Sequence, residues 1–312
     1  MTTGPRPPPE TIGYRRSTSL PGIEVLDAAN SPREWRAVSP DFAVTLLRTW
    51  RGEVLYQGRK HPVEPGIAFC NHPDEALVAT PNQGLAGSFS VLVVDPEVFK
   101  QWIAETQRPA LRAHWCAITK PISLSLQAKA QHFLSMFGPE AQPLELQADI
   151  AELSASLIHE LVTGAGDATL NDGPPIRGTA RMRECLTEAG FDIDLDSLAK
   201  EAGLGRFQAL RAFKRRYGLP PHAYQMCVRI SLARRLLLEG AATADVALRC
   251  GFVDQSHLTR HFKRVTGVTP KQYARAHAAS KDRSSGTYPV QGAIKQDTQA
   301  AVISRSDHSR SR

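Results

Sequence analysis

The chain has 312 residues, 42% hydrophobic and 22% charged, long enough for two domains each with a core of its own. No apolar run is long enough to cross a membrane or to act as a secretory leader, so the expectation is a cytosolic protein with no membrane partner. Five cysteines, Cys70, Cys116, Cys185, Cys227 and Cys250, lie far apart without a C-x-x-C pair, which excludes a disulfide framework and a structural zinc site of the usual spacing.

The first 20 residues are rich in Pro, Thr and Arg and lack an apolar pattern, and they are expected to be disordered. Short β-branched and aromatic segments follow at Phe42 to Trp50, Val54 to Tyr56, Ile67 to Cys70, Ala76 to Thr80 and Phe89 to Val94. Turn residues such as Gly58, Pro65-Gly66 and Pro81-Asn82 separate them, which predicts an antiparallel sandwich or a small barrel. Beyond Asp95-Pro96 the pattern becomes helical over Val98 to Thr106, Ser125 to Phe137 and Glu145 to Val162. In the last of these Leu146, Ile150, Leu153, Leu157, Ile158 and Leu161 form one apolar stripe. Two partners fit that stripe, the β-domain of the same chain or the matching helix of a second copy, and periodicity does not separate them.

Residues 166–178 are dense in Gly, Pro, Asp and Asn and read as a linker between residues 21–165 and the segment 179–277. Charge divides at the same place. Between Gly178 and His277 there are 17 Lys and Arg against 9 Asp and Glu, whereas residues 1 to 177 carry 15 against 19. The net charge of +7 therefore belongs to the C-terminal segment, and a polyanion is its expected partner. Residues 278–312 read as a basic, disordered tail.

That segment repeats itself. Ala199, Gly203, Phe213, Lys214, Gly218, Pro221 and Tyr224 recur in order as Ala247, Gly251, Phe262, Lys263, Gly267, Pro270 and Tyr273. Each copy reads as a helix-turn-helix: Leu195 to Ala202 and Arg206 to Tyr217, then Thr243 to Arg249 and Asp254 to Val265. Pro220 to Glu239 is the connecting helix, with Met226, Ile230, Ala233 and Leu237 on one face. Asp194, Thr243, Asp254 and Thr269 are the candidate N-caps.

The run Ala247-Leu-Arg-Cys-Gly251-Phe252-Val-Asp254-Gln-Ser256-His257-Leu-Thr-Arg260-His-Phe262-Lys263-Arg-Val-Thr-Gly267-Val-Thr-Pro270-Lys-Gln-Tyr273 closely resembles the C-terminal signature of the AraC/XylS transcription regulators. The resemblance covers residues 179–277 and implies an α+β chain: a cupin-like β-barrel with helices that senses a small-molecule effector and forms a homodimer, then an all-α domain of two helix-turn-helix units. It implies a regulator acting on double-stranded DNA and RNA polymerase, with activation the expected sense and no cofactor. Gly205 stands where the family usually has a hydroxyl, and Leu210 where it is often polar, so the second unit is expected to do most of the base discrimination.

A helix-turn-helix presents the start of its second helix to base edges, while basic and hydroxyl side chains fix its register on phosphates. The candidate base readers are Phe207, Arg211, Gln255, Ser256 and Arg260, since Gln pairs with adenine, Arg with guanine, and an apolar ring meets a thymine methyl. Arg206, Gln208, Lys214, Arg215, His257, Thr259, Lys263 and Arg264 are the candidate phosphate contacts. Trp35, Trp50, Phe69 and His72 are candidates to line an effector cavity. Cys70, His72 and Glu75 make the best local metal set, but without an H-x-H pair no metal site is expected. Two other readings compete: an enzyme carrying a DNA-binding module, whether a cupin oxygenase or an alkyl-transfer repair protein, and a ligand-independent architectural DNA binder. No Pro-Cys-His run supports the repair enzyme.

Overall fold

The computed structural model describes residues 8–106, 119–138, 141–162, 178–188, 193–278 and 287–289. The N-terminal part is built from β1 (Thr11–Arg16), β2 (Ile23–Ser31), β3 (Trp35–Val38), β4 (Phe42–Leu47), β5 (Gly52–Tyr56), β6 (Arg59–Val63), β7 (Ile67–Asn71), β8 (Ala76–Pro81) and β9 (Gly87–Val94). Then come α1 (Pro96–Glu105), β10 (Thr119–Pro121), α2 (Leu124–Met136) and α3 (Pro143–Leu161). The C-terminal part comprises α4 (Thr179–Glu188), α5 (Leu195–Glu201), α6 (Arg206–Tyr217), α7 (Pro221–Leu238), α8 (Thr243–Arg249), α9 (Gln255–Thr266) and α10 (Pro270–Ala278), and a short β11 (Thr287–Pro289) returns to the sheet.

The strands form two antiparallel sheets, β10-β7-β4-β9-β2-β1-β11 and β3-β8-β5-β6. The larger sheet uses both faces, as its period-2 alternation dictates. Phe42, Val44, Leu92 and Val94 pack with the helices α1 to α3, whereas Leu47, Phe69 and Phe89 turn to the smaller sheet and meet Val54, Tyr56 and Leu77. The expected small barrel is thus a two-sheet sandwich, and among the described residues ladder hydrogen bonds do not join its sheets into a closed cylinder.

The apolar stripe of α3 is consumed within the chain: Leu146, Ile150, Leu153, Leu157, Ile158 and Leu161 are all buried in the core shared with the larger sheet, α1 and α2. Of its two candidate partners, the β-domain takes it. The N-terminus also differs from expectation. Thr11–Arg16 is a strand paired with β2, and its Ile12 and Tyr14 are buried in the core of α7 to α10. The strand reads TIGYRR, with a glycine inside it and two arginines at its end, and its apolar residues find partners more than 200 positions away. The expected linker lies almost wholly outside the described residues, and the expected tail does so except for Ala278 and for β11, which pairs with β1.

Both helix-turn-helix units form as the repeat predicts. Asp194 accepts from the Ser197 amide at 2.7 Å, Asp254 accepts from the His257 amide at 2.7 Å, and Gly218 and Gly267 end α6 and α9 in the left-handed conformation. Thr269 and Gln272 make a reciprocal capping box ahead of α10. Thr243 is not a cap. It is the first helical residue, and Ala242 occupies the N-cap without a side-chain bond.

Candidate DNA-reading surface and effector cavity

On α6 the side chains of Arg206, Phe207, Gln208, Arg211, Lys214 and Arg215 are exposed, as the outward face of a second helix requires. Phe207 is 69% exposed, a large apolar ring held in water at the helix start. Arg206 donates to Asp196 of α5 at 3.2 Å, which ties the two helices of the unit together. Arg216, one position beyond the predicted contacts, is drawn away from this face: its guanidinium lies 3.6 Å from Glu75 of the β7–β8 turn.

On α9, Gln255, Ser256, Arg260 and Arg264 are exposed, while Leu258 and Phe262 fill the core beneath. Thr259 is half-buried, and its hydroxyl donates to the Gln255 carbonyl at 2.8 Å. Lys263 is half-buried beside it. The half-buried His257 ring packs edge-on against Phe252 at 5.4 Å and His261 at 4.7 Å. Arg264 donates to His261 Nδ1 at 3.0 Å. Burial, Arg264, His257, Arg260 and His222 all oppose protonation of His261, and its pKa falls to about 4. Val253, ahead of the α9 cap, was missed by sequence reasoning; it is 87% exposed, and its place in the turn gave no periodic signal.

A cavity of about 120 Å³ lies between the two sheets, and Trp35, Trp50 and Phe69 line it with Phe89. His72 is not among its walls. The His72 ring instead shares a hydrogen bond with the Tyr56 hydroxyl at 2.9 Å, and the His72 amide donates to the same oxygen. The sequence placed His72 beside an aromatic strand but could not show which way its ring turned. Ile230, Ser231 and Arg234 of α7 and Val265 and Thr266 of α9 complete the wall, so the cavity is bounded by the sandwich and by the helix-turn-helix domain together.

Buried polar contacts surround this junction. Glu24 of β2 is only 1% exposed and accepts from Arg234 Nη2, from the Tyr273 hydroxyl at 2.8 Å and from Arg16 Nε at 3.0 Å. Burial works to lower the pKa of Arg234, but Glu24, Tyr273 and Tyr14 hold it well above its ordinary value, so its guanidinium stays charged. Tyr14 donates to the Thr266 carbonyl at 2.9 Å, Tyr224 to the Asp74 carbonyl at 2.7 Å and Ser231 to the Val38 carbonyl at 2.5 Å. None of this network shows in the sequence, since its members are 150 to 252 residues apart where the hydroxyls of Tyr224 and Tyr14 cross the junction.

A family profile described as "Helix-turn-helix domain" matches residues 198–276. The HTH-type transcriptional regulator YbfI of Bacillus subtilis strain 168 is 33% identical over 222 residues, which span 70% of this chain and 78% of that protein. The chain belongs to the AraC/XylS family of transcriptional regulators. The HTH-type transcriptional activator RhaS of Escherichia coli strain SE11 is 32% identical over 81 residues, 26% of this chain and 29% of that protein. Among solved structures, an apo ToxT variant from Vibrio cholerae strain SCE256 aligns over 84% of this chain and 99% of that chain, with a TM-score of 0.51 at 11% identity. That likeness is one of fold. The helix-turn-helix segment is the DNA-binding domain of a transcriptional regulator, and it carries the exposed faces of α6 and α9. Among the described residues no group of three or more His, Cys, Asp or Glu could hold a metal ion, and no helix is long and apolar enough to cross a membrane.

Proposed function

We propose that this regulator is a cytoplasmic, homodimeric transcriptional activator whose DNA affinity or operator geometry is set by a small effector bound between its sheets. The observation that carries this reading is the cavity wall: residues of the sandwich and of α7 and α9 face the same space. A molecule placed there touches the connecting helix and the C-terminal end of the second recognition helix at once. The two recognition helices on one spacer suit successive major-groove turns, roughly 34 Å apart. Gln255, Ser256 and Arg260, with Phe207 and Arg211, read bases, while Arg206, Gln208, Lys214, Arg215, Lys263 and Arg264 hold phosphates. Activation through RNA polymerase is supported by the likeness of the DNA-binding segment to RhaS, named an activator. The α3 stripe is used inside the protomer, so a homodimer contact falls elsewhere, and the exposed faces of α2 and α3 offer it.

Selection of bound fragments from a random DNA pool at physiological salt tests the DNA part of this reading. A two-part consensus is expected, and an absence of any sequence preference would refute it. Repeating the selection with an effector-like probe present tests the coupling, which requires a changed affinity or a changed spacing between the two parts.

A further inference from the structure

The wall of the cavity between the sheets is mainly carbon. Trp35 and Trp50 stand edge-on to Phe89 at 5.4 and 6.3 Å, an aromatic corner that suits a ring, and Leu77, Val91 and Ile230 continue the apolar lining. Most polar groups of the lining residues are committed elsewhere. Trp35 Nε1–H donates to Ser31 at 3.0 Å, the Ser231 hydroxyl to the Val38 carbonyl, the Tyr14 hydroxyl to the Thr266 carbonyl, and the Thr266 hydroxyl to the Phe262 carbonyl at 2.8 Å. Trp50 Nε1 and Asn71 Oδ1 are sealed from the cavity, without surface that a ligand could touch.

Charge and size point the same way. Among the described residues Arg234 is the one charged side chain of the wall; its Nη2 is bonded to Glu24 and its Nε donates to the Tyr273 hydroxyl at 3.2 Å. A ligand carboxylate at Arg234 would stand beside the buried Glu24 carboxylate and meet like charge, and a ligand ammonium would find no carboxylate among the described wall residues. Either ion would lose its hydration for little in return. The volume of about 120 Å³ approaches that of an apolar cavity of roughly 150 Å³ that stays dry and admits benzene.

Resting on the reading of this cavity as the effector site, we infer that the effector is an uncharged, apolar molecule the size of a single ring, held by packing against carbon and not by hydrogen bonds or a charge pair. Toluene meets these demands. Benzyl alcohol adds a hydroxyl that must leave water, and benzoate and benzylamine add a charge.

Titration calorimetry and thermal shift on the full chain with these four probes make the test. Toluene should bind saturably and raise Tm, benzyl alcohol should bind roughly ten-fold more weakly, and the two ions roughly a hundredfold more weakly. Ala79 lines the cavity and is buried, so Ala79→Leu should fill the space and abolish toluene binding. Val91→Ala widens the cavity instead, keeps the test if the leucine variant does not fold, and should shift the preference from toluene toward the two-ring naphthalene. Tighter binding of benzyl alcohol, benzoate or benzylamine than of toluene would overturn the ligand class while keeping the cavity as the effector site. Toluene binding that neither variant alters would overturn its placement in this cavity. Toluene that binds but changes neither affinity nor spacing in the DNA selection would overturn the effector reading and uphold the class of molecule the cavity takes. Binding of none of the four would overturn both, whereas a DNA consensus from the same preparation would leave the DNA-binding reading standing.

Discussion

Glu24 of β2 and Arg234 of α7 form a buried ion pair that fastens the sandwich to the connecting helix of the DNA-binding domain. Arg16 and Tyr273 hold the same carboxylate, and Arg234 lies over the rings of Tyr14 and Tyr273 at 5.7 and 5.4 Å. Arg234 also lines the cavity.

Removing one partner should cost far more than removing both. Arg234→Met takes one buried charged partner from the Glu24 carboxylate, and an expected loss of about 3 kcal/mol in urea unfolding follows from breaking a buried ion pair on one side. Glu24→Leu with Arg234→Met should recover most of that loss. If the double variant is no more stable than the single, the pair is not the unit that matters.

Gly58 tests how the sandwich grips the first recognition helix. Gln57 and Gly58 both have positive φ, the turn type of a two-residue hairpin between β5 and β6, and a Cβ on Gly58 would come within 2.3 Å of the Arg215 carbonyl. Gly84 has nearly the same φ, +75° against +77°, but meets nothing within 4 Å. Gly84→Ala should cost about 1 kcal/mol from backbone strain alone, and Gly58→Ala clearly more. The difference, read from denaturation midpoints, reports the contact between the hairpin and α6.

Gly205 caps α6 without a side-chain bond, has φ of −69°, and has open space where a Cβ would stand. Gly205→Ser should therefore stabilise the chain by a few tenths of a kcal/mol, roughly 0.3 to 0.5. A loss of stability would show that the open position is required by something other than helix capping.

Base readers and phosphate contacts should separate in binding titrations. Arg260→Ala is expected to cost about 1 to 3 kcal/mol and to relax one base position in the selected consensus. Lys263→Ala should weaken all sequences alike and reduce the salt slope by about one. A uniform loss from Arg260→Ala would reassign it to the phosphates.

Acid should weaken the fold through His261. Between its ordinary value of 6.5 and about 4, the unfolded chain takes up a proton at this residue that the folded chain refuses. Unfolding is thus favoured as pH falls through that window, and stability rises with pH across it. His261→Gln should flatten the stability–pH curve between those limits, and an unchanged slope would place the acid sensitivity on other groups.

The sequence by itself determined the helix-turn-helix pair. Local capping by Asp194, Asp254 and Thr269, glycine at left-handed ends and 3.6-residue periodicity are short-range physics, and the two units stand where the repeat put them. Enrichment in β-branched and aromatic residues between turn signals likewise marked β4, β5, β7, β8 and β9. It failed for β1, β3 and β6, which are short or polar, and it overlooked β2. The exposed faces of α6 and α9 were legible for the same local reason. Tertiary structure alone decided the rest: that α3 spends its stripe on its own sheet, that His72 turns to Tyr56 while His257 packs on Phe252, and that Glu24 meets Arg234. Only the packed structure brings Arg234, Val265 and Thr266 to one cavity with Trp35 and Phe69, because such groupings arise where distant segments close on one another and leave no period in the chain.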